Sequence, residues 1–342
     1  MKNYPNIIVK WFQENKRDLP WRQDKNPYHV WISEIMLQQT RIEAVIDYYN
    51  RFLKELPTIK DLAGVNDEKL LKLWEGLGYY NRARNLKKAA IEITKLGYFP
   101  TIYDELIKLK GIGEYTASAI SSICFNESAV TIDGNVLRVY TRFKNDKRNV
   151  LDNSVKKDIH TRLLKIVPKE SGDFNQGLME IGETICLPNG TPKCELCPLK
   201  KDCKAYKYKT YDKIPVREKE IHKREENYTV LLLKYKDTYA LYKREKETLL
   251  NNLYTFPDIP GHLSKGDVLD YLKNRNITYE SIEKGPDNTH IFTHKTWNMI
   301  SYIITIKETI PDYNFVSLND IKSNYAIPTA HKKFLNFILK SN

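Results

Sequence analysis

The chain has 342 residues, 41% of them hydrophobic and 29% charged, a length that suits two or three domains rather than one core. Lysine and arginine total 55 against 43 acidic residues, and the resulting net charge of +12 favours a polyanionic partner such as nucleic acid. No apolar run approaches the roughly 18 residues of a membrane span, and the polar N-terminus has no signal-peptide core, so we expect a cytoplasmic protein without membrane association.

The first strong helix signal is NPYHVWISEIMLQQTRIEAV, residues 26–45, which predicts one apolar helix that begins at Asn26. Glu34 lies at the centre of this helix, and Gln38 and Gln39 follow one turn later. Because charged residues are rarely buried without a role, Glu34 is a candidate functional carboxyl group. The alternative is an exposed glutamate on the polar side of the helix.

Helical periodicity continues to about residue 206, and Gly, Pro or Asn residues bound each segment. The segments are DEKLLKLWEGL, RARNLKKAAIEITKLG, YDELIKLKGIGEYTASAISSIC and SVKKDIHTRLLKIV.

Gly111 and Gly113 separate two helical segments in ELIKLKGIGEYTASAISSI. Glycines at this spacing allow a tight reversal and leave backbone N–H groups uncovered at the next helix N-terminus, a geometry that holds a phosphate without reading sequence. An ordinary turn is the alternative. Asp133 begins the next predicted helix, in VTIDGNVLRVYTRF, where an aspartate can cap the helix, act in catalysis, or do both.

Four cysteines with the spacing C-x7-C-x2-C-x5-C indicate a metal site, formed by Cys186, Cys194, Cys197 and Cys203. A structural zinc site usually offers two close pairs of ligands, whereas only Cys194 and Cys197 form one here. Four thiolates wrapped by one short segment favour an iron–sulfur cluster, with zinc as the alternative. Lysines interleaved with these cysteines would present positive charge to phosphates. The fifth cysteine, Cys124, is predicted to be a core residue.

The charged stretch at 207–226 is predicted to be a linker, and the pattern changes after Asn227. YTVLLLKYKDTYALYKR predicts a β-hairpin around a Lys-Asp turn, and TWNMISYIITIKE predicts another strand. Short helices are predicted at KGDVLDYLKNRN and TAHKKFLNFILK. The C-terminal region, 227–342, is therefore expected to be a smaller α+β domain.

Taken together, LPWR, SEIMLQQT, EGLGYYNRARN, LKGIGEYTA, IDGNVLRV and the four cysteines resemble the helix–hairpin–helix DNA glycosylases over residues 17–205. Within that superfamily the chain is similar to the MutY-type adenine glycosylases, which remove adenine mispaired with 8-oxoguanine or guanine.

The resemblance implies a mostly α helix–hairpin–helix glycosylase region with a [4Fe–4S] loop, followed by a smaller α+β Nudix-like domain that recognises the lesion. Within residues 1–206 it implies a six-helix part at about 29–139 and an iron–sulfur part formed by 1–28 and 140–206. It also implies double-stranded DNA containing A opposite 8-oxoguanine or G as the partner. We expect a monomer.

The resemblance assigns catalysis to Glu34 and Asp133. Glu34, held protonated by an apolar setting, would act as the general acid, and ionised Asp133 would stabilise the oxocarbenium-like sugar. Tyr115 and Asn135 would hydrogen-bond this site, and Arg22 would line it.

The remaining candidates are predicted to bind DNA or the base. By resemblance, Gln39 and Tyr79 wedge into the gap left by the flipped adenine, with Gln38 beside them, although Tyr79 could also be a packed core aromatic. Trp21, Leu37 and Gln176 are candidate walls of the adenine pocket, and some relatives carry glutamate in place of Gln176. IFTHKTW resembles the lesion-sensing Phe-Ser-His loop and gives Phe292, Thr293 and His294, with Thr293 replacing the serine.

Two other functions remain open on the sequence. An endonuclease III-like glycosylase and lyase shares the hairpin and the cysteines, but it carries a nucleophilic lysine where this chain has Tyr115. A non-catalytic iron–sulfur DNA-binding protein is the second. Nudix hydrolysis is not expected, because residues 261–283 lack the clustered Arg-Glu-x-x-Glu-Glu metal ligands. The seven-residue gap after Cys186, where the family usually has six, is accommodated by the predicted turn at Asn189–Gly190.

Overall fold

The structure, a computed structural model, describes residues 3–218, 224–244 and 250–341. The chain divides into two compact units, each assembled from two segments. The first unit comprises Met1–Val65 and Asn81–Lys219, and the second comprises Asn66–Tyr80 and Glu220–Asn342. The sequence did not predict that residues 66–80, from the first half of the chain, would belong to the same unit as the C-terminal half.

The N-terminal part of the chain is helical, as predicted, although α5 belongs to the second unit. In chain order the α-helices up to residue 207 are α1 (Tyr4–Asn15), α2 (Pro27–Leu37), α3 (Ile42–Glu55), α4 (Ile59–Gly64), α5 (Asp67–Leu73), α6 (Asn81–Leu96), α7 (Tyr103–Leu106), α8 (Glu114–Phe125), α9 (Gly134–Lys144), α10 (Asn153–Leu164), α11 (Ser171–Thr184) and α12 (Lys204–Lys207). Short 3-10 helices lie at Pro20–Arg22, Cys194–Leu196 and Lys200–Asp202.

The prediction of one continuous helix from Asn26 to Val45 is wrong. The side chain of Asn26 caps α2 as expected, since its Oδ1 accepts a hydrogen bond of 3.0 Å from the backbone N–H of Tyr28. The helix then ends at Leu37, and Gln39 adopts a φ of 61°, in the left-handed region that no right-handed helix continues. The periodicity of apolar residues runs on across this loop, which is why the sequence alone conceals the break.

The core of the first unit brings the predicted catalytic elements together. Helix α11 packs against α1, α8 and α9, and α2 packs against α8. Gly177 of α11 allows the close approach to α1, because a Cβ there would lie 2.7 Å from Cγ2 of Ile8. Phe174 and Leu178, also on α11, are buried in the same core. This packing carries the predicted site residues of α2, α8, α9 and α11 to one region.

The second unit is built on a mixed β-sheet with the path β3-β2-β1-β7-β5. Strand β4 pairs with β1, β6 pairs with β7, and β8 pairs with β2; β1 and β7 are parallel, and the other pairs are antiparallel. The elements are β1 (Arg224–Tyr235), β2 (Thr238–Lys243), β3 (Tyr254–Thr255), β4 (Asp258–Pro260), α13 (Lys265–Asn274), β5 (Tyr279–Lys284), β6 (Asn288–Ile291), β7 (Lys295–Ile306), β8 (Asn314–Ser317), α14 (Leu318–Asn324) and α15 (Thr329–Ser341).

The predicted strands and helices of this region are confirmed. Strands β1 and β2 form the expected hairpin, with Tyr235 opposite Thr238 and with Lys236 in the left-handed region at a φ of 51°. The second strand signal corresponds to β7, and the two helix signals correspond to α13 and α15. Alternate residues of β1, such as Leu231 and Leu233, are buried against α13 in one hydrophobic cluster.

The predicted linker at 207–226 lies partly outside the described residues, which leave out 219–223. Its described part is not free chain. The backbone N–H of Val150 donates to the carbonyl of Val216 at 3.0 Å, and Nε of Arg142 donates to the carbonyl of Ile214 at 2.8 Å. Within the described ranges, no helix has both the length and the apolar character that crossing a membrane requires.

Candidate active site

An open cleft of about 810 Å³ in the first unit is lined by all four residues that the sequence assigns to catalysis. Helices α2, α8 and α11 form its walls, together with the loop after α2 and the start of α9. The predicted residues that line it are Trp21, Arg22, Glu34, Leu37, Gln38, Gln39, Tyr115, Asp133, Asn135 and Gln176. A cleft with several convergent polar groups is the usual form of an enzyme site.

Glu34 is a buried carboxyl group that lines this cleft, with only 6% of its surface exposed. The hydroxyl of Tyr115, on α8, donates a hydrogen bond of 2.7 Å to its Oε2. Burial raises the pKa of Glu34 to about 7; the hydrogen bond from Tyr115 and the charge of Arg22 act to lower it, and Asp133 acts to raise it. Such a group can hold a proton at neutral pH and release it, as a general acid must. The alternative of an exposed Glu34 is wrong.

Asp133 caps α9 and is held by two hydrogen bonds. Its Oδ1 accepts from the backbone N–H of Val136 at 2.6 Å, and its Oδ2 accepts from Nδ2 of Asn135 at 2.9 Å. Burial raises the pKa of Asp133, while these two donors and the charge of Arg138 oppose the rise and favour the carboxylate. The predicted cap is confirmed, and it fixes the direction of the carboxylate. The cleft therefore contains two carboxyl groups in chemically different settings.

Arg138 supports Asn135, a role that the sequence did not predict. Its Nη2 donates to Oδ1 of Asn135 at 2.8 Å and to the carbonyl of Gly182 at 2.8 Å, and its Nε donates to the carbonyl of Cys186 at 2.7 Å. Asn135 and Arg138 are three residues apart on α9, a spacing that places them on one helix face. That spacing was the available signal.

A buried ion pair supports the wall that contains Arg22, and its carboxylate was also missed. Glu180 is 2% exposed; its Oε1 accepts from Nε of Arg17 at 2.6 Å, and its Oε2 accepts from Nη2 of Arg22 at 2.8 Å. Burial acts to raise the pKa of Glu180, but the two arginines hold it below its ordinary value. Nε of Arg22 also donates to Oε1 of Gln176 at 3.2 Å. Gln176 and Glu180 are four residues apart on α11, so both reach Arg22 from one face of the helix.

The two predicted hairpin glycines lie between α7 and α8. Gly111 has a φ of 82°, and a Cβ at this position would lie 2.4 Å from Cβ of Asn85, so only glycine fits. Gly113 is extended and caps α8. The first backbone N–H groups of an α-helix have no intrahelical acceptor, so the start of α8 offers donors to an anion.

The four clustered cysteines line one small cavity of about 30 Å³ beside the C-terminal end of α11. All four are free thiols, and burial raises the pKa of Cys197 to about 12. Nη1 of Arg142 lies 3.4 Å from Sγ of Cys186. Among the described residues, no three His, Cys, Asp or Glu side chains are arranged to hold a single metal ion. Cys124, predicted to be a core residue, is partly buried against Val30, Ala119 and Ile123.

The predicted lesion-sensing residues lie in the second unit, between β6 and β7. The backbone N–H of Phe292 donates to the carbonyl of Lys295 at 2.7 Å, and the ring of Phe292 lies 5.0 Å from that of Trp297. Thr293 and His294 are exposed. The hydroxyl of Tyr79 lies 2.9 Å from Oγ1 of Thr293. Tyr79 is 53% exposed and has a φ of 47°, so the alternative of a packed core aromatic is wrong.

Two known family models match this chain. The family model described as HhH-GPD superfamily base excision DNA repair protein matches residues 32–169, and the model described as NUDIX domain matches residues 228–337. The first match includes Glu34, Tyr115 and Asp133, and the second includes Thr293.

Individual relatives agree over nearly the whole chain. An adenine DNA glycosylase of Buchnera aphidicola subsp. Acyrthosiphon pisum is 36% identical, over 85% of this chain and 83% of the relative. The adenine DNA glycosylase of Buchnera aphidicola subsp. Baizongia pistaciae is 35% identical, over 98% of this chain and 96% of the relative. A solved non-covalent endonuclease III–DNA complex is 26% identical with a TM-score of 0.51, over 60% of this chain and 95% of that one. The predicted helical helix–hairpin–helix region followed by a smaller, sheet-containing Nudix-like domain is confirmed, and this chain belongs to the adenine DNA glycosylase family.

Proposed function

We propose that this protein is a base-excision-repair enzyme that hydrolyses the N-glycosidic bond of adenine mispaired with 8-oxoguanine or guanine in double-stranded DNA. One observation carries the proposal: Glu34, with a pKa of about 7, and Asp133, capped and hydrogen-bonded, line the same cleft. The printed names of the relatives, adenine DNA glycosylase, support the same substrate. We propose that it acts in the cytoplasm, on the chromosome, as a monomer.

Glu34 acts as the general acid in this proposal. Cleavage of the bond between N9 and C1′ leaves its electron pair on the purine, and a proton transferred from Glu34 to N7 neutralises the anion that would otherwise form. Burial supplies the reason that Glu34 keeps this proton near neutral pH. The hydrogen bond from Tyr115 holds the carboxyl group in one orientation.

Asp133 stabilises the positive charge of the sugar. As adenine departs, positive charge develops on the sugar, and an ionised carboxylate beside it lowers the barrier. Water then adds to C1′ and loses a proton, which leaves an abasic sugar and free adenine. The hydrogen bonds from Val136 and Asn135 favour the ionised form that this task requires.

The enzyme is monofunctional in this proposal. A glycosylase with lyase activity forms a Schiff base through an amine, and the position that carries that lysine in endonuclease III-like enzymes holds Tyr115. A phenol cannot form that adduct. Borohydride in the presence of an abasic product should therefore trap no protein–DNA link in the wild type.

DNA binding is assigned to the glycine hairpin and to the residues that surround the flipped adenine. The extended backbone at Gly113 and the first turn of α8 bind a phosphate. Gln39, with Gln38 beside it, and Tyr79 enter the space left by the flipped adenine. Both Gln39 and Tyr79 are exposed and have positive φ values. Trp21, Leu37 and Gln176 form walls of the adenine pocket.

Recognition of the oxidised base is assigned to Phe292, Thr293 and His294 in the Nudix-like unit. Thr293 offers a hydroxyl in place of the usual serine, and this hydroxyl is already within hydrogen-bond distance of Tyr79. The ring of Phe292 packs on Trp297, and this contact anchors the loop.

A [4Fe–4S] cluster held by Cys186, Cys194, Cys197 and Cys203 is part of the proposal. The four thiols line one cavity, and their spacing, with only one close pair, suits a multi-iron cluster better than tetrahedral zinc. Such a cluster would stabilise this segment and present its lysines to phosphates. Iron and sulfide analysis of anaerobically purified protein tests the assignment, and stoichiometric zinc would contradict it.

The decisive experiment uses end-labelled duplexes that carry A opposite 8-oxoguanine, A opposite G, or thymine glycol opposite A, each with and without hot alkali. We expect cleavage of the adenine strand only after alkali, with Glu34→Gln as an inactive control that still binds. Direct nicking at thymine glycol would instead establish the endonuclease III-like function. Binding without any cleavage would establish the non-catalytic alternative.

A further inference from the structure

Arg82, near the start of α6, closes the C-terminal end of the helix that carries Glu34. Its Nη1 donates to the carbonyl of Ile35 at 2.6 Å and to that of Gln38 at 2.8 Å. The last carbonyls of an α-helix have no intrahelical donor, and a guanidinium there satisfies them and complements the helix dipole. Arg82 therefore fixes the final turn of α2.

That final turn sets two parts of the candidate active site. Glu34 immediately precedes Ile35, so a shift of the terminal turn displaces the carboxyl group from the base that it must protonate. Gln38 is the C-cap of α2, and Gln39 follows in the left-handed region at a φ of 61°. A non-glycine residue persists in that conformation only where its surroundings hold it, and Arg82 supplies one such contact.

Arg82 is the last residue of a short stretch, residues 75–82, whose first residue is held in the second unit. The carboxylate of Glu75 accepts from the backbone N–H of Ile327 at 3.3 Å and lies 2.7 Å from Nζ of Lys72. Between Glu75 and Arg82, Gly76, Gly78 and Tyr79 all have positive φ values. The polypeptide leaves the second unit after Tyr80 and enters the first at Asn81.

Tyr79 connects this stretch to the loop that is assigned to the oxidised base. Its hydroxyl lies 2.9 Å from Oγ1 of Thr293, and Arg82 follows it by only three residues. Three residues of chain, at most about 10 Å when extended, leave little slack between the two contacts. A change in the position of Tyr79 must therefore be absorbed next to Arg82.

We propose that residues 75–82 form a coupling segment in which Arg82 is a positioning residue, so that engagement of the base opposite adenine by Tyr79 and Thr293 aligns Glu34 and the Gln38–Gln39 loop. The inference rests on the proposed function and deepens it, because it gives lesion recognition a route to the rate of adenine excision. Allosteric coupling of this kind requires that the two contacts depend on each other, which a double-mutant cycle measures.

The test measures single-turnover excision from duplexes with A opposite 8-oxoguanine and A opposite G, in the full-length protein. We expect Arg82→Ala to lower the rate on the 8-oxoguanine duplex by about 10- to 100-fold. The rate on the guanine duplex should fall much less, because engagement of the lesion is what aligns Glu34 through Arg82. Arg82→Lys, which keeps a cationic donor group but loses the planar guanidinium, should retain part of the preference. Arg84→Lys changes the next arginine of α6, which contacts Asn81, and should behave as the wild type.

The double-mutant cycle pairs Arg82→Ala with Thr293→Ala. We expect the double variant to show the same preference for 8-oxoguanine as Arg82→Ala alone, because either change interrupts the same connection. If the loss of preference in the double variant equals the product of the losses in the two single variants, the coupling is overturned. The same follows if Arg82→Ala slows excision from both duplexes equally, and Arg82 is then only a structural contact.

Two measurements separate the possible failures. A wild-type protein that excises adenine from neither duplex overturns the proposed function itself, and with it this inference, whereas an active wild type with an unchanged ratio in Arg82→Ala overturns the inference alone. Thermal melting identifies variants that do not fold. If Arg82→Ala is one of them, Arg82→Lys carries the test, and an unchanged ratio in that variant overturns the coupling.

Discussion

The hydroxyl of Tyr115 donates a 2.7 Å hydrogen bond to Oε2 of Glu34 in the cleft between α2 and α8. This bond stabilises the ionised carboxylate, whereas burial stabilises the neutral acid, and burial dominates. The pKa of Glu34 is therefore raised to about 7, and the group changes its charge near physiological pH. Two predictions depend on this balance.

Excision should slow as the pH rises through about 7, because the general acid must carry its proton and Glu34 loses it in that range. Below that pH the rate should reach a plateau until Asp133 becomes protonated. Glu34→Gln should lose at least about 100-fold in single-turnover rate while its DNA affinity is unchanged. A rate that rises through pH 7, or a Glu34→Gln that turns over normally, would remove Glu34 from the mechanism.

Tyr115→Phe should move the pH midpoint of excision upward. The phenol lowers the pKa of Glu34 by donating to its carboxylate, so its removal leaves burial and the charge of Asp133 less opposed. The variant should consequently remain active at a higher pH than the wild type, although its maximal rate falls because the carboxyl group is less well oriented. The measurement is the pH profile of the single-turnover rate, and a midpoint that moves downward contradicts the assignment.

Glu180→Gln should destabilise the first unit by about 3 to 5 kcal/mol, because Arg17 and Arg22 would share a neutral partner in a buried setting. Glu183→Gln is the matched control. Glu183 is 39% exposed on its side chain and lies 3.8 Å from Arg17, so its loss should cost less than about 1 kcal/mol. Urea denaturation of the two variants distinguishes them, and equal midpoints would show that the buried pair contributes no more than the exposed one.

Gly111→Ala and Gly113→Ala should differ sharply although they are two residues apart. Alanine at Gly111 must adopt a φ of 82° and would place its Cβ 2.4 Å from Cβ of Asn85, so we expect a loss of about 2 to 4 kcal/mol. At Gly113 nothing lies within 4 Å of a new Cβ, and the cost should be at most about 1 kcal/mol from the weaker helix cap. Thermal or urea unfolding tests this, and equal losses would contradict the close packing of the hairpin on α6.

Local patterns predicted several helices, the β1–β2 hairpin and β7, because periodicity and capping depend on neighbouring residues, but they gave no separate signal for α11 or the short strands. The cap of Asp133 and the β1–β2 hairpin are examples, and both are confirmed. The break between α2 and α3 was missed, since Arg82 stabilises the end of α2 from 44 residues along the chain. A contact at such a separation leaves no mark in the local sequence.

In the candidate site, too, local features were predicted and contacts between residues distant in sequence were not. Glu34 was predicted from its apolar setting, whereas its partner Tyr115, 81 residues away, entered by resemblance alone. Glu180 was not predicted, because its two arginines lie about 160 residues away in sequence. Separations of this size become visible only once the helices pack.

The contact between Tyr79 and Thr293 yields the last prediction, which concerns the choice between 8-oxoguanine and guanine. Thr293→Ser keeps the hydroxyl that lies 2.9 Å from Tyr79, so its preference for A opposite 8-oxoguanine should equal that of the wild type. Thr293→Ala and Tyr79→Phe each remove one hydroxyl of the pair, and each should reduce the preference by about 10-fold, the cost of one neutral hydrogen bond at about 1 kcal/mol or slightly more.

The physical reason is that either hydroxyl orients the other toward the base opposite adenine, so the pair acts as a unit. The double variant should consequently be no worse than either single one. Thr293→Ser is the internal control, because it separates the hydroxyl from the methyl group that distinguishes threonine from serine. Relative rates on the two mispairs, measured at saturating enzyme, decide the matter, and a Thr293→Ala that keeps the full preference would disconnect this loop from recognition of the lesion.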